Sequence, residues 1–155
     1  MGRAGGGYRV SREEIRDAIH SIKWREYEAV CGNTEPMTCT QLLALFSEHQ
    51  ETAMEASSAL WNNLCHQAQT VPAALPAYEI LLAGVRILND DLKVEVMDIL
   101  YNIIGGIPEI GGMPSWKREL RKKFERDRGY YKELADSDNE DIAAFAELIL
   151  EQIPR

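Results

Sequence analysis

The feature that most narrows what this chain can fold into is a self-similarity. Residues 45–64 lie over residues 134–153 without a gap: Leu45 falls on Leu134, Glu51 on Glu140, Ala53 on Ile142, Ala59 on Leu148 and Leu60 on Ile149. Between the two copies, Leu88-Asn89-Asp90-Asp91 leading into Val96, Ile99 and Leu100 repeats the plan. Each copy has an apolar helix end, a polar corner, and then a helix whose small and apolar residues face inward. One such pair cannot bury its apolar face alone and needs a neighbouring pair on each side. A chain of 155 residues has room for one domain built this way, not two with separate cores.

The periodicity along the chain is helical throughout. Ser11 with Glu14 forms a capping box for a first helix carrying Ile15, Ala18, Ile19 and Ile22, running toward Tyr27. A second starts near Thr38 or Thr40 and holds Leu42, Leu43, Leu45 and Phe46. After Ser47-Glu48-His49-Gln50, a third carries Ala53, Ala56, Leu60 and Leu64 and ends near Gln67. Thr70 and Pro72 open a fourth, with Pro76 placed to shift its start or bend its first turn. Asn89-Asp90-Asp91 caps a fifth, which ends at Gly105-Gly106. The fourth and fifth are apolar on most sides, so they are expected to be enclosed at the centre. Ser115 is read as the cap of a sixth helix that Gly129 interrupts, and a last helix after Asp136-Ser137-Asp138 stops at Pro154. No stretch alternates as a strand would. The expected class is all-α.

Composition narrows the function classes. The chain is 45% hydrophobic and 27% charged with a formal charge of −8, which opposes wholesale attraction to nucleic acid or an anionic membrane. No apolar run is long enough to span a bilayer, and no apolar signal core follows the N-terminus. Residues 1–7 read as a flexible glycine-rich lead, and residues 8–155 as the domain. Cys31, Cys39 and Cys65 are odd in number and lack CxxC spacing, so they read as small buried hydrophobes of a reduced cytoplasm. His20, His49 and His66 are scattered and form no metal-ligand pattern, and Gly105 to Gly112 lacks the continuation of a phosphate loop. Neither a metal nor a cofactor is expected, and no catalytic residue is assigned.

A family resemblance rests on Ile22-Lys-Trp24-Arg-Glu-Tyr27, Gln41-Leu-Leu-Ala-Leu45, Ala59-Leu60-Trp61-Asn-Asn-Leu64-Cys-His66-Gln67, and Thr70-Val-Pro-Ala73-Ala74 with Pro76. In this order the segments resemble those of bacterial HEAT-repeat-like proteins, over roughly residues 15 to 105 and more loosely 130 to 153. The chain departs from that pattern at Ala68, where the family usually has glycine, and at Val71, where an aromatic often follows. The resemblance implies a short HEAT-like α-α superhelix of about three helix pairs plus an N-terminal helix. It also implies a non-enzymatic protein-binding role, by analogy with acidic immunity proteins that cover a basic toxin.

Three groups of residues are candidates for contact with a partner. His66 and Gln67 stand at a helix junction, where they either satisfy backbone groups or form a polar recognition centre. Glu55, Glu95, Asp98 and Glu140 fall on the inner helices of the stack, where an acidic concave surface would suit a basic protein. Between Trp116 and Lys132, eight basic residues stand against three acidic ones. Lys117, Arg118, Arg121, Lys122, Arg126 and Arg128 there form either a solvated face or a ridge that binds phosphate, which makes nucleic acid the alternative partner.

Overall fold

The computed structural model describes residues 11–27, 37–65, 70–107 and 113–153. In chain order the helices are α1 (Arg12–Ser21), α2 (Met37–Leu45), α3 (Gln50–Cys65), α4 (Ala74–Ile87), α5 (Asp90–Gly105), α6 (Ser115–Arg126), α7 (Arg128–Leu134) and α8 (Glu140–Gln152), with a 3₁₀ turn at Trp24–Glu26. Among the described residues there is no strand, and the all-helical class stands.

Local chemistry sets half of the eight described helix starts. At α1 the Ser11 hydroxyl accepts from the Glu14 amide at 3.1 Å and the Glu14 carboxylate accepts from the Ser11 amide at 3.0 Å. Asn89 caps α5 by accepting from the Leu92 amide, and Asn139 caps α8 by accepting from Asp141 and Ile142. The corners before α3 and α8 share a device, since Ser47 accepts from the His49 amide and Ser137 from the Asn139 amide. The repeat in the sequence is therefore a repeat of turn chemistry as well as of apolar spacing.

The helices pack as three successive pairs, α2 with α3, α4 with α5 and α7 with α8, and α5 touches both α3 and α8. On α3, α5 and α8 the same i, i+4, i+7, i+11 pattern is buried: Ala53, Ser57, Leu60, Leu64; Leu92, Val96, Ile99, Ile103; Ile142, Ala146, Ile149, Ile153. One continuous hydrophobic core results, with α1 lying on α2 and α4. Gly84 permits the close approach of α4 to the end of α2, because a Cβ there would stand 3.3 Å from the Phe46 ring.

Several boundaries differ from the sequence expectation. The first helix stops at Ser21, with Ile22 extended, and the chain turns back so that Trp24 is buried and its indole donates to the Ile19 carbonyl at 2.9 Å. Burying the indole and satisfying a terminal carbonyl outweighs two further helical turns. The fourth helix begins at Ala74, which places Pro76 in its first turn, where it costs no helical hydrogen bond. Thr70 is no cap: its hydroxyl donates to the Ile103 carbonyl at 2.7 Å and ties the segment to α5. Pro114 rather than Ser115 precedes the first turn of α6, and the interruption falls at Asp127 rather than Gly129. The enclosure of the central pair is also uneven. Nine of the fourteen residues of α4 are buried, whereas α5 buries seven of sixteen and keeps Glu95, Asp98 and Asn102 only partly covered. These three, one turn apart, form a polar stripe along an otherwise apolar helix.

Candidate functional site

The partly covered stripe of α5 faces α3 across a groove. Ser57, Ser58, Trp61 and Asn62 from α3 and Glu95, Asp98 and Ile99 from α5 line a cavity of about 260 Å³. Its α3 wall carries the small side chains of Ser57 and Ser58, which leave space that longer side chains would fill. Ser57 is buried, and its hydroxyl donates to the Met54 carbonyl at 2.7 Å. Asn102 steadies Asp98, donating to its carboxylate and its carbonyl at 2.8 Å each.

The electrostatics of this groove are unbalanced. Burial pushes the Glu95 carboxyl above its ordinary range, with Asp98 and then Asp91 adding to the effect. Burial also pushes Asp98 up, against the hydrogen bond from Asn102. Neither carboxylate pairs with a cation among the described residues. Behind the groove, burial and then Asp98 push the Cys65 thiol up to about 12, so it stays protonated and donates to the Trp61 carbonyl at 3.2 Å.

The imbalance extends along the row formed by α3, α5 and α8. These helices carry Glu51, Glu55, Asp90, Asp91, Glu95, Asp98, Glu140, Asp141, Glu147 and Glu151 against the single cation Lys93. Glu55 and Glu140 are exposed on this row, outside the cavity, while Glu95 and Asp98 are brought together inside it. His66 and Gln67 lie outside the described residues, as does Cys31.

The basic helix is engaged differently. Arg121 reaches inward, donating to the Ile107 carbonyl at 2.9 Å and the Gln152 carbonyl at 3.2 Å. Arg118 donates to the Met113 carbonyl, and the Lys117 ammonium lies 5.6 Å from the Trp116 ring centroid. Lys123 and Arg126 both grip Glu79 of α4, at 2.8 and 3.1 Å, and Arg126 also holds Asp127 at 2.8 Å. Bonded to Asp127 and to Glu79, Arg126 keeps its proton above the ordinary guanidinium range despite partial burial. Lys122 and Arg128 alone among the six proposed ridge cations have no hydrogen bond, ion pair or ring contact among the described residues.

One polar cluster went unseen in the sequence. The Tyr78 hydroxyl donates to the Asp127 carboxylate at 2.9 Å and lies 3.0 Å from the Tyr131 hydroxyl, with Phe124 packed against both rings. Burial pushes both phenols up, so both stay protonated. Asp127 sits at the break between α6 and α7 and fastens that break to α4. An acidic residue two short of Gly129 in a basic stretch was the available signal. The serines and Asn62 of the groove also escaped notice, since polar residues in a helix ordinarily face water.

Compared with known proteins, the chain matches no family model, no curated protein and no solved structure. Among the described residues, no group of three or more His, Cys, Asp or Glu is arranged to hold a metal ion, and no helix is long and apolar enough to cross a membrane.

Proposed function

We propose that this protein is a non-enzymatic interaction module, a short HEAT-like superhelical stack whose α3, α5 and α8 row docks a basic protein. Serial packing of the three pairs and the common burial pattern on α3, α5 and α8 support the superhelical reading. The observation that carries the partner class is that the row's acidic side chains form no ion pair among the described residues, whereas Glu79 and Asp127 on the other side are both paired with cations. A surface left with one sign of charge attracts and orients a partner of the other sign. An immunity-type inhibitor that covers a basic enzyme is the sharpest form of this reading.

The groove also offers little to a catalytic reading, since the Cys65 thiol is protonated and the Ser57 hydroxyl is committed to a backbone carbonyl. The alternative of a nucleic-acid ridge rests on Lys122 and Arg128, because Arg121 and Arg126 are spent on contacts within the fold. Affinity capture from the source cell, with the wild-type chain beside a Glu51→Lys, Glu55→Lys, Glu147→Lys variant, tests the proposal. The expected result is a basic protein held by the wild type and bound at least about tenfold more weakly by the variant. Retention of nucleic acid that a Lys122→Glu, Arg128→Glu variant abolishes would overturn it.

A further inference from the structure

The groove between α3 and α5 differs from the rest of the acidic row in having walls of several chemistries. It holds two carboxylates on α5, a hydroxyl and an amide on α3, and the half-buried Trp61 indole. Its volume of about 260 Å³ falls below the roughly 300 Å³ at which pockets for small molecules begin, so it suits one side chain of a larger partner. Trp61 separates this site from a simple cluster of acids. The indole N–H of Trp24 is spent on the Ile19 carbonyl, whereas that of Trp61 has no acceptor among the described residues. A half-covered indole beside two unpaired carboxylates provides both a π face and negative charge for a cation.

We propose that this groove is the receptor for an arginine side chain of the docked partner, its guanidinium set against Trp61 and its N–H groups donating to Glu95 and Asp98. Arginine fits better than lysine for three reasons. Its planar head stacks on an indole, it is less strongly hydrated, and its five donors satisfy two carboxylates at once. A guanidinium also relieves the cost of holding Glu95 and Asp98 ionised so close together, a cost that the Asn102 hydrogen bond to Asp98 reduces and that no cation among the described residues offsets. The inference rests on the docking reading above and assigns its anchor, the type of buried arginine contact on which interfaces often concentrate their affinity.

Titration of the ¹⁵N-labelled full chain with Nα-acetyl-argininamide at low salt, followed on the Trp61 indole and Asn102 side-chain resonances, tests it. Saturable shifts are expected there and not at Trp24, with the lysine analogue at least about threefold weaker. The carboxamide variant Glu95→Gln, Asp98→Asn, which preserves shape, should lose the response while the rest of its spectrum is unchanged. Absence of saturation, an equal response to the lysine analogue, or an undiminished response in the variant would overturn the assignment. The Glu51→Lys, Glu55→Lys, Glu147→Lys chain separates the two proposals. If it loses the partner while the wild type never binds argininamide, docking stands and the arginine receptor falls. If it still binds argininamide and also still binds the partner, the receptor stands and docking along the row falls.

Discussion

The α3/α5 groove and the clamp where α6 and α7 meet α4 are built from similar side chains and use them in opposite ways. In the clamp, Glu79 and Asp127 meet Lys123, Arg126 and the Tyr78 hydroxyl within the molecule, and the result is a fixed helix break. In the groove, Glu95 and Asp98 meet each other and Asn102, and their charge has no internal counterpart among the described residues. Carboxylates in the first setting hold the fold together. In the second they raise its energy slightly when ionised and remain without a cation among the described residues.

The comparison can be broken first through the apolar seam on which both regions stand. Leu100 is fully buried on α5, and Leu100→Ala should cost about 2 to 5 kcal/mol in urea or guanidinium unfolding. A cost under about 1 kcal/mol would mean that α5 is not the centre of the core. The clamp comes next. Tyr78→Phe removes the donor to Asp127 and leaves the buried Tyr131 hydroxyl without its partner, so a loss of about 1 to 3 kcal/mol is expected in the same measurement. A neutral result would reduce the clamp to incidental contact.

The groove should respond with the opposite sign. Because the Glu95 and Asp98 carboxyls are raised in the folded state, the native chain binds their protons more tightly than the unfolded chain does. Stability attributable to them is therefore highest below the ordinary values of 4.5 and 3.8 and falls as pH rises from those values through the raised ones. Glu95→Gln, Asp98→Asn should leave the melting temperature at pH 3 unchanged and raise it at pH 7. Both groups are partly covered and not enclosed, so solvent screening keeps the gain within about 0.5 kcal/mol. A variant less stable at pH 7 would show that the carboxylates are internally paired after all. The smallest effect belongs to Lys122→Ala, expected within about 0.5 kcal/mol of wild type, against a loss of up to about 1 kcal/mol for Arg126→Ala, which leaves Glu79 with Lys123 alone and Asp127 with the Tyr78 hydroxyl alone.

How far the sequence could be read depended on the range of the interaction concerned. The capping box at Ser11 and Glu14, the caps at Asn89 and Asn139, and the halt of α8 before Pro154 are settled within a few residues, and such features can be read from a linear string. The three-fold recurrence of buried positions was legible for the same reason, since periodic apolar spacing records a face. Trp24 ended the first helix early because its indole found a carbonyl only once the chain turned back. Asp127, at the break in the basic helix, is held by Tyr78 from 49 positions away, which no local pattern announces.

The candidate site divides along the same line. That Glu95 and Asp98 lie on an inner helix of an acidic row followed from spacing and charge. That they line one cavity with Trp61, that Arg121 turns to carbonyls and that Arg126 pairs with carboxylates at the surface, did not. By itself the sequence determined the helices, their order, and the sign of charge on each, because propensity, capping and periodicity act over one or two turns. Which charges were neutralised and which were left unpaired was decided only when distant helices met, because pairing requires two groups within about 4 Å and proximity along the chain does not supply that.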